Sequence, residues 1–359
     1  MTTSSKTKRM RSMKPLPKQN ASSRHTSQKR NNRSLFARAF IKRVQNTAHQ
    51  GGLWKSGTSF IVGVSGGADS LCLLDTLCFL APKYNFSIHV VHINYGLRGK
   101  DSTADEALVR KQVKHYKRKL TVFRPMVKKG GNLEERLREL RYQYFEKVRK
   151  QKKADVIAIA HHQDDQAETL LLRLLRGAGP LGLSAMQLKN GSIVRPFLKI
   201  PKQEIIRYMK ELDLPFREDA SNADPSFMRN RIRHTLLPLL ESDFQPRIKE
   251  ILAQTAEILT ENASTGTKIS ERMLSLKQKD GFLEFSRKEA LALPKGLLAL
   301  FLRELLSENL KQKMPGKRLV DELIKCLKSA KNKPQMVHFR GLKLEAKGDT
   351  VRLFCKKED

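Results

Sequence analysis

Between residues 59 and 197, short apolar runs rich in β-branched residues alternate with longer segments of helical periodicity. This alternation restricts the fold more than any other feature of the chain. The runs lie at 60–64, 87–93, 121–127, 155–160 and 193–197, with helical segments at 71–80, 102–119, 133–150 and 166–175 between them. Strands that alternate with helices in this way build a parallel sheet. The first, second and fourth runs are almost continuously apolar, so both faces of the sheet must be covered. The expected class is α/β, a doubly wound parallel sheet. Past residue 240 the alternation stops. Helical segments at 246–259, 297–310 and 318–329 precede three short strands at 336–339, 342–346 and 350–354, which predicts a smaller, mostly helical C-terminal domain ending in a β meander. The expected division is a basic, largely disordered extension over 1–50, a catalytic domain over 51–240 and a C-terminal nucleic-acid-binding domain over 241–359. Within the extension, residues 35–49 have near-helical apolar spacing and predict the first ordered helix.

Charge narrows the partner. Lys and Arg outnumber Asp and Glu by 70 to 36, a formal net charge of +34. The first 50 residues contain 13 basic and no acidic residues, leaving 57 against 36 in the remaining 309. A basic folded body, not only a basic tail, points to a polyanion such as a phosphate backbone. No 18-residue apolar run is present to span a bilayer, and no signal-peptide core is visible. Cys72, Cys78, Cys326 and Cys355 form no CxxC pair and stand in no metal-ligand spacing, which fits a reducing, cytoplasmic setting. The acid-free, Arg- and Ser-rich N-terminal residues have equally the composition of an organellar transit peptide, an RNA-contacting arm or an over-extended start.

The strand ending at Val64 runs straight into Ser65-Gly66-Gly67-Ala68-Asp69-Ser70 and then into a helix. Adjacent glycines let the backbone approach a phosphate, and the N–H groups and the helix N-terminus supply donors and a positive dipole end. Ser65 and Ser70 add hydroxyls. Asp69 would repel a phosphate by itself; as a Mg²⁺ ligand it would instead help to bind one. The pattern is neither a Walker loop nor a dinucleotide fingerprint.

SGGxDS in this setting resembles the PP-loop of the ATP pyrophosphatase superfamily, whose members cleave ATP to AMP and pyrophosphate to adenylate a substrate. Further segments narrow the resemblance to tRNA(Ile)-lysidine synthetases. They are His92-Ile93-Asn94-Tyr95-Gly96-Leu97-Arg98, where Tyr95 departs from the family's second His, and Asn132-Leu133-Glu134 with Arg138, Arg141 and Tyr142. Ala160-His161-His162 through Glu168-Thr169 follows, leading to Arg173, Arg176-Gly177 and Gly179, and then Arg195-Pro196. Last come Glu218-Asp219-Ala220-Ser221-Asn222 and Arg229-Asn230-Arg231-Ile232-Arg233-His234.

The resemblance implies a Rossmann-like fold, ATP and Mg²⁺ as cofactors, a tRNA(Ile) with a CAU anticodon and L-lysine as partners, and a homodimer. Its reaction adenylates C2 of the wobble cytidine, after which the lysine ε-amine displaces AMP. The expected ATP site is Ser65, Gly66, Gly67, Ala68, Asp69, Ser70, His92 and Arg98, with Asp69 on the metal. Asp165, Glu168 and Thr169 share one helix face. Two carboxylates there suit an ammonium ion, and Asp165, Glu168 and Asp69 are the expected catalytic residues, with His161 assisting proton transfer or steadying the activated cytidine. Arg138, Arg141, Arg173, Arg176, Arg229, Arg231 and Arg233 are expected to bind tRNA or phosphate. For Arg229, Arg231 and Arg233, ion pairing with neighbouring carboxylates such as Glu218 and Asp219 stands as the other reading. A tRNA thiolase is the nearest competing activity, but Cys72 and Cys78 lack a partner motif; an inactive RNA-binding relative is the other, and intact Asp69, Asp165 and Glu168 argue against it.

Overall fold

A computed structural model describes residues 33–127, 133–184, 186–217, 227–274, 276–279, 282–310, 316–329, 334–339 and 342–355. Six strands form the first sheet in the order β3-β2-β1-β4-β6-β5. They are β1 (Ser59–Gly63), β2 (Ser87–Ile93), β3 (Lys119–Phe123), β4 (Val156–Ala158), β5 (Lys189–Asn190) and β6 (Ile193–Val194). All neighbours are parallel except the terminal β5 and β6 pair. Helices α1 (Leu35–Gln50), α2 (Ala68–Tyr84), α3 (Lys100–His115), α4 (Leu133–Lys152), α5 (Gln163–Leu175), α6 (Pro180–Leu183) and α7 (Lys202–Glu211) complete this part.

The central strand shows why the sheet is doubly wound. Phe60 and Val62 pack into one buried cluster with Leu73, Leu74 and Leu77 of α2. Ile61 points the other way, toward Phe145 and Val148 of α4. Successive side chains on a strand face opposite sides, so a strand apolar at every position needs helices on both. The α4 layer approaches closely: a Cβ built on Gly63 would lie 2.5 Å from the Phe145 ring.

The predicted first helix exists and is part of this core. Ser34 caps α1, its hydroxyl accepting from the Ala37 N–H at 3.0 Å, and Phe40 stacks on Tyr208 of α7 with centroids 4.5 Å apart. Arg33, just before the helix, donates to both oxygens of buried Asp75, which also accepts from the hydroxyls of Tyr116 and Tyr208. Residues 1–32 lie outside the described residues.

Beyond the sheet, α8 (Met228–Arg231), a π-helical turn over Ile232–Leu236 and α9 (Leu237–Asp243) form one continuous helical stretch. Ile232 and Leu237 anchor it on Ala167 and Leu171 of α5. The long α10 (Ile248–Met273) follows, and its Ala256 packs against Leu170 of α5. The C-terminal unit contains α11 (Arg287–Ala292), α12 (Lys295–Leu310) and α13 (Lys317–Lys328). Its sheet consists of β7 (Lys277–Lys279), β8 (Phe282–Ser286), β9 (Gln335–Phe339), β10 (Leu342–Lys347) and β11 (Thr350–Cys355). The meander is present at the expected residues, but the sheet is larger, because β8 pairs with β11 and β7 extends the edge. Lys277–Lys279 has no apolar residue and is exposed throughout, which suits an edge strand and leaves no hydrophobic signal to read.

Candidate functional site

The chain leaves β1 and turns through Gly66, whose φ of +104° is a backbone conformation that side chains with a Cβ rarely adopt. Ser65 and Ser70 then close the loop on itself. The Ser65 N–H donates to Ser70 Oγ at 3.1 Å, and Ser70 Oγ donates to the Gly67 carbonyl at 3.0 Å. The loop ends at the N-terminus of α2, with Asp69 in its first turn. His92, at the end of β2, supports the loop from behind. Its Nδ1 hydrogen-bonds the Val64 carbonyl at 2.8 Å, and burial pushes its pKa below the ordinary value. Arg98 pairs with Asp105 at 2.5 Å. Asp105 also receives Arg217 Nε at 2.8 Å, while the Arg217 N–H donates to the Gly66 carbonyl at 3.1 Å.

Asp69 has an ionic partner that the sequence reading missed. Lys202 Nζ lies 2.5 and 2.6 Å from its two carboxylate oxygens. Lys202 stands first in α7, behind Pro201, and its backbone N–H donates to Asp164 at 2.9 Å. A lysine in the first turn of a helix opposes the helix dipole, and the Asp69 carboxylate offsets that cost. His162 connects Asp69 to the acidic helix: its Nε2 lies 3.8 Å from Asp69 Oδ2 and 3.4 Å from Asp165 Oδ2. Its Nδ1 is buried with no hydrogen-bond partner among the described residues.

Asp165 and Glu168 lie together at the start of α5, both buried. Asp165 accepts from the His162 backbone N–H at 3.0 Å. Burial raises its pKa, but His162, His161, Arg229 and this hydrogen bond outweigh burial and hold the carboxyl below the usual range. Arg229 Nε contacts Glu168 and its Nη2 contacts Asp165, both at 2.8 Å. Arg233, one turn on, grips Glu168 at 2.5 and 2.8 Å. The two arginines expected on phosphate therefore neutralise the two carboxylates expected on substrate. Glu218, Asp219, Ser221 and Asn222 lie outside the described residues, as does Asn132. Thr169 spends its hydroxyl on the Asp165 carbonyl at 2.7 Å.

A cationic wall stands beside this pair. His161 accepts on Nδ1 from Arg195 Nε at 3.1 Å, and Arg138 and Arg229 are close enough to lower its pKa further. Arg138 lies over the Tyr142 ring at 5.6 Å, and Arg173 donates to the Ser184 carbonyl. Arg138, Arg141, Arg176 and Arg231 are exposed. Tyr95, in place of the usual His, donates through its hydroxyl to the Leu137 carbonyl at 2.9 Å, next to Arg138. Cys72 and Cys78 are buried in α2, and burial raises both thiol pKa values, that of Cys78 to about 11. No helix among the described residues is long and apolar enough to cross a membrane.

A glycine loop between the first strand and its helix, at the carboxyl edge of a doubly wound sheet, defines an ATP-binding PP-loop domain. The family described as PP-loop domain matches residues 34–240, and the chain belongs to it. Among curated proteins, the chain is similar to the tRNA(Ile)-lysidine synthase of Geobacter sulfurreducens, 40% identical over 249 residues that cover 66% of this chain and 51% of that protein. The tRNA(Ile)-lysidine synthase of Bacillus subtilis is 34% identical over 266 residues, 71% of this chain and 56% of that one. The chain thus spans about half the length of the curated relatives it matches. A solved U34-tRNA thiolase from Methanococcus maripaludis shares the fold, with a TM-score of 0.53 at 20% identity over 65% of this chain and 83% of that one.

Proposed function

We propose that this protein ligates lysine to C2 of the wobble cytidine of a CAU-anticodon tRNA(Ile), consuming ATP. The observation that carries the reading is the nearness of His162 Nε2 to both Asp69, at 3.8 Å, and Asp165, at 3.4 Å, which supports joining the phosphate loop and the buried acidic pair in one site. The similarity to tRNA(Ile)-lysidine synthases supports it. In the first half-reaction the cytidine O2 attacks the α-phosphorus of ATP as the bond to the β-phosphate breaks, releasing pyrophosphate. In the second, the lysine Nε forms a bond to C2 as the C2–O bond breaks, releasing AMP.

The loop N–H groups and the Ser65 hydroxyl would hold the phosphates, with Ser70 keeping the loop closed. Asp69 offers hard oxygen donors on a side chain 28% exposed, and Mg²⁺ is commonly held by one or two carboxylates together with phosphates and water. The residue present therefore fits Mg²⁺, which would neutralise charge on the phosphate oxygens. Lys202 is placed to follow that charge onto phosphate. Asp165 and Glu168 would bind the lysine ammonium and take up the proton that it must lose before attack. That role requires Arg229 and Arg233 to exchange the carboxylates for the phosphates of the tRNA, contacts that suit the fork geometry of arginine.

The test is incubation of the protein with ATP, Mg²⁺, labelled lysine and a CAU tRNA(Ile) transcript. Lysine enters the tRNA with one AMP released per event. Failure of incorporation, with thiolated product from a sulfur donor, would overturn the reading. Glu168→Gln keeps AMP formation and loses lysine transfer; loss of both together assigns Glu168 elsewhere.

A further inference from the structure

Arg195 is 5% exposed and follows β6 directly. Its Nη1 donates to the Gln187 carbonyl at 2.8 Å and its Nε lies 3.1 Å from His161 Nδ1. A guanidinium has only donors, so Nδ1 has to accept. In a neutral imidazole the one proton then sits on Nε2. The groups around the ring agree with a neutral state. Burial first, then Arg195, Arg229 and Arg138, push its pKa down to about 3 against the opposing pull of Asp165. Tyr142 helps keep Arg195 charged in spite of burial.

Resting on the function proposed above, we propose that Arg195 is a positioning residue that holds His161 as the Nε2–H tautomer. In that state His161 donates a hydrogen bond to an acceptor atom of the adenylated cytidine and takes no proton from the incoming amine. The proton balance then closes without it: the ammonium proton goes to the carboxylates of Asp165 and Glu168, and the histidine proton stays where it is. This separates two roles that the motif alone leaves merged, and gives Arg195 a purpose beyond packing.

Tautomers are read directly by two-bond ¹H–¹⁵N correlation spectra of the full chain labelled with [¹⁵N]histidine, with the His161 signals assigned by their loss in His161→Gln. The expected spectrum shows Nε2 protonated and Nδ1 bare, unchanged between about pH 5 and 8. In Arg195→Met the two tautomers mix. Arg195→Lys, which keeps the cation but not the Nε–H, gives the same mixing. An Nδ1–H tautomer in the unmodified protein, or variant spectra that show the same single tautomer as the unmodified protein, would overturn the proposal. Turnover supplies a second arm. His161→Leu loses roughly 100-fold in kcat, whereas His161→Gln, which keeps an N–H donor, loses clearly less; equal losses in both overturn the donor role. The spectra need neither tRNA nor lysine. A protein with the expected tautomer that forms no lysidine therefore fails the proposed function and not the tautomer assignment.

Discussion

Lys202 Nζ bridges both carboxylate oxygens of Asp69, at 2.5 and 2.6 Å, across 133 residues of sequence. The pair brings the start of α7 against the start of α2, at the mouth of the phosphate loop. Asp69→Ala is expected to abolish AMP formation. Lys202→Met is expected to slow it by roughly 100- to 1,000-fold, the scale of one preorganised donor to charge that develops in the transition state. Pyrophosphate release in the presence of tRNA measures both. An unchanged rate in Lys202→Met would confine the lysine to a structural role.

The pairing of Asp165 and Glu168 with Arg229 and Arg233 sets a second expectation. Each group has more than one partner, so deletion of one leaves a buried charge only partly compensated. A double-mutant cycle between Glu168→Gln and Arg233→Met, read by denaturant unfolding, is expected to show a coupling of about 1–3 kcal/mol. Additive losses would mean that the four groups do not act as a unit.

These pairings also mark how far the sequence could be read. The phosphate loop was legible because its signal is local, with glycines, hydroxyls and an aspartate adjacent in the chain and bounded by a strand and a helix. The partners of Asp69 and Glu168 were not, since Lys202, Arg229 and Arg233 arrive from 133, 61 and 65 residues away. Nor does sequence say which of two neighbouring histidines faces the loop. The chain peels away from the sheet after Ala158, and only the backbone path there sends His162 toward Asp69 and His161 toward Arg195. The doubly wound sheet, in contrast, was fixed by the unbroken apolar run of β1, which no one-sided sheet accommodates.

Gly63 and Phe145 test the packing that supports the loop. A Cβ at residue 63 would lie 2.5 Å from the ring, and overpacking of this kind costs about 1–3 kcal/mol. Gly63→Ala is expected to lower the unfolding free energy by that amount, read by denaturant unfolding, and Phe145→Leu in the same chain to restore part of it. If the double variant is no more stable than Gly63→Ala, the close approach of α4 is not the source of the cost.

Glu106 gives the acid limb of stability. It is 5% exposed. Burial raises its pKa, but hydrogen bonds from Asn94, Arg110 and Arg124 and the Arg124 charge prevail and hold the carboxyl at about 2, against an ordinary value of 4.5. A carboxyl whose pKa is lower in the folded state contributes its full stabilisation above the unfolded value and loses it as pH falls toward the folded one. Unfolding free energy should therefore drop as pH falls from about 4.5 to about 2. Glu106→Gln should be less stable at neutral pH and should show a shallower decline over that window. Because Asn94 donates to Glu106 at 3.0 Å and belongs to the segment leading to Arg98, the same variant should also loosen that segment, visible as faster amide hydrogen exchange at residues 94–99. A parallel decline in both proteins would place the acid-sensitive group elsewhere.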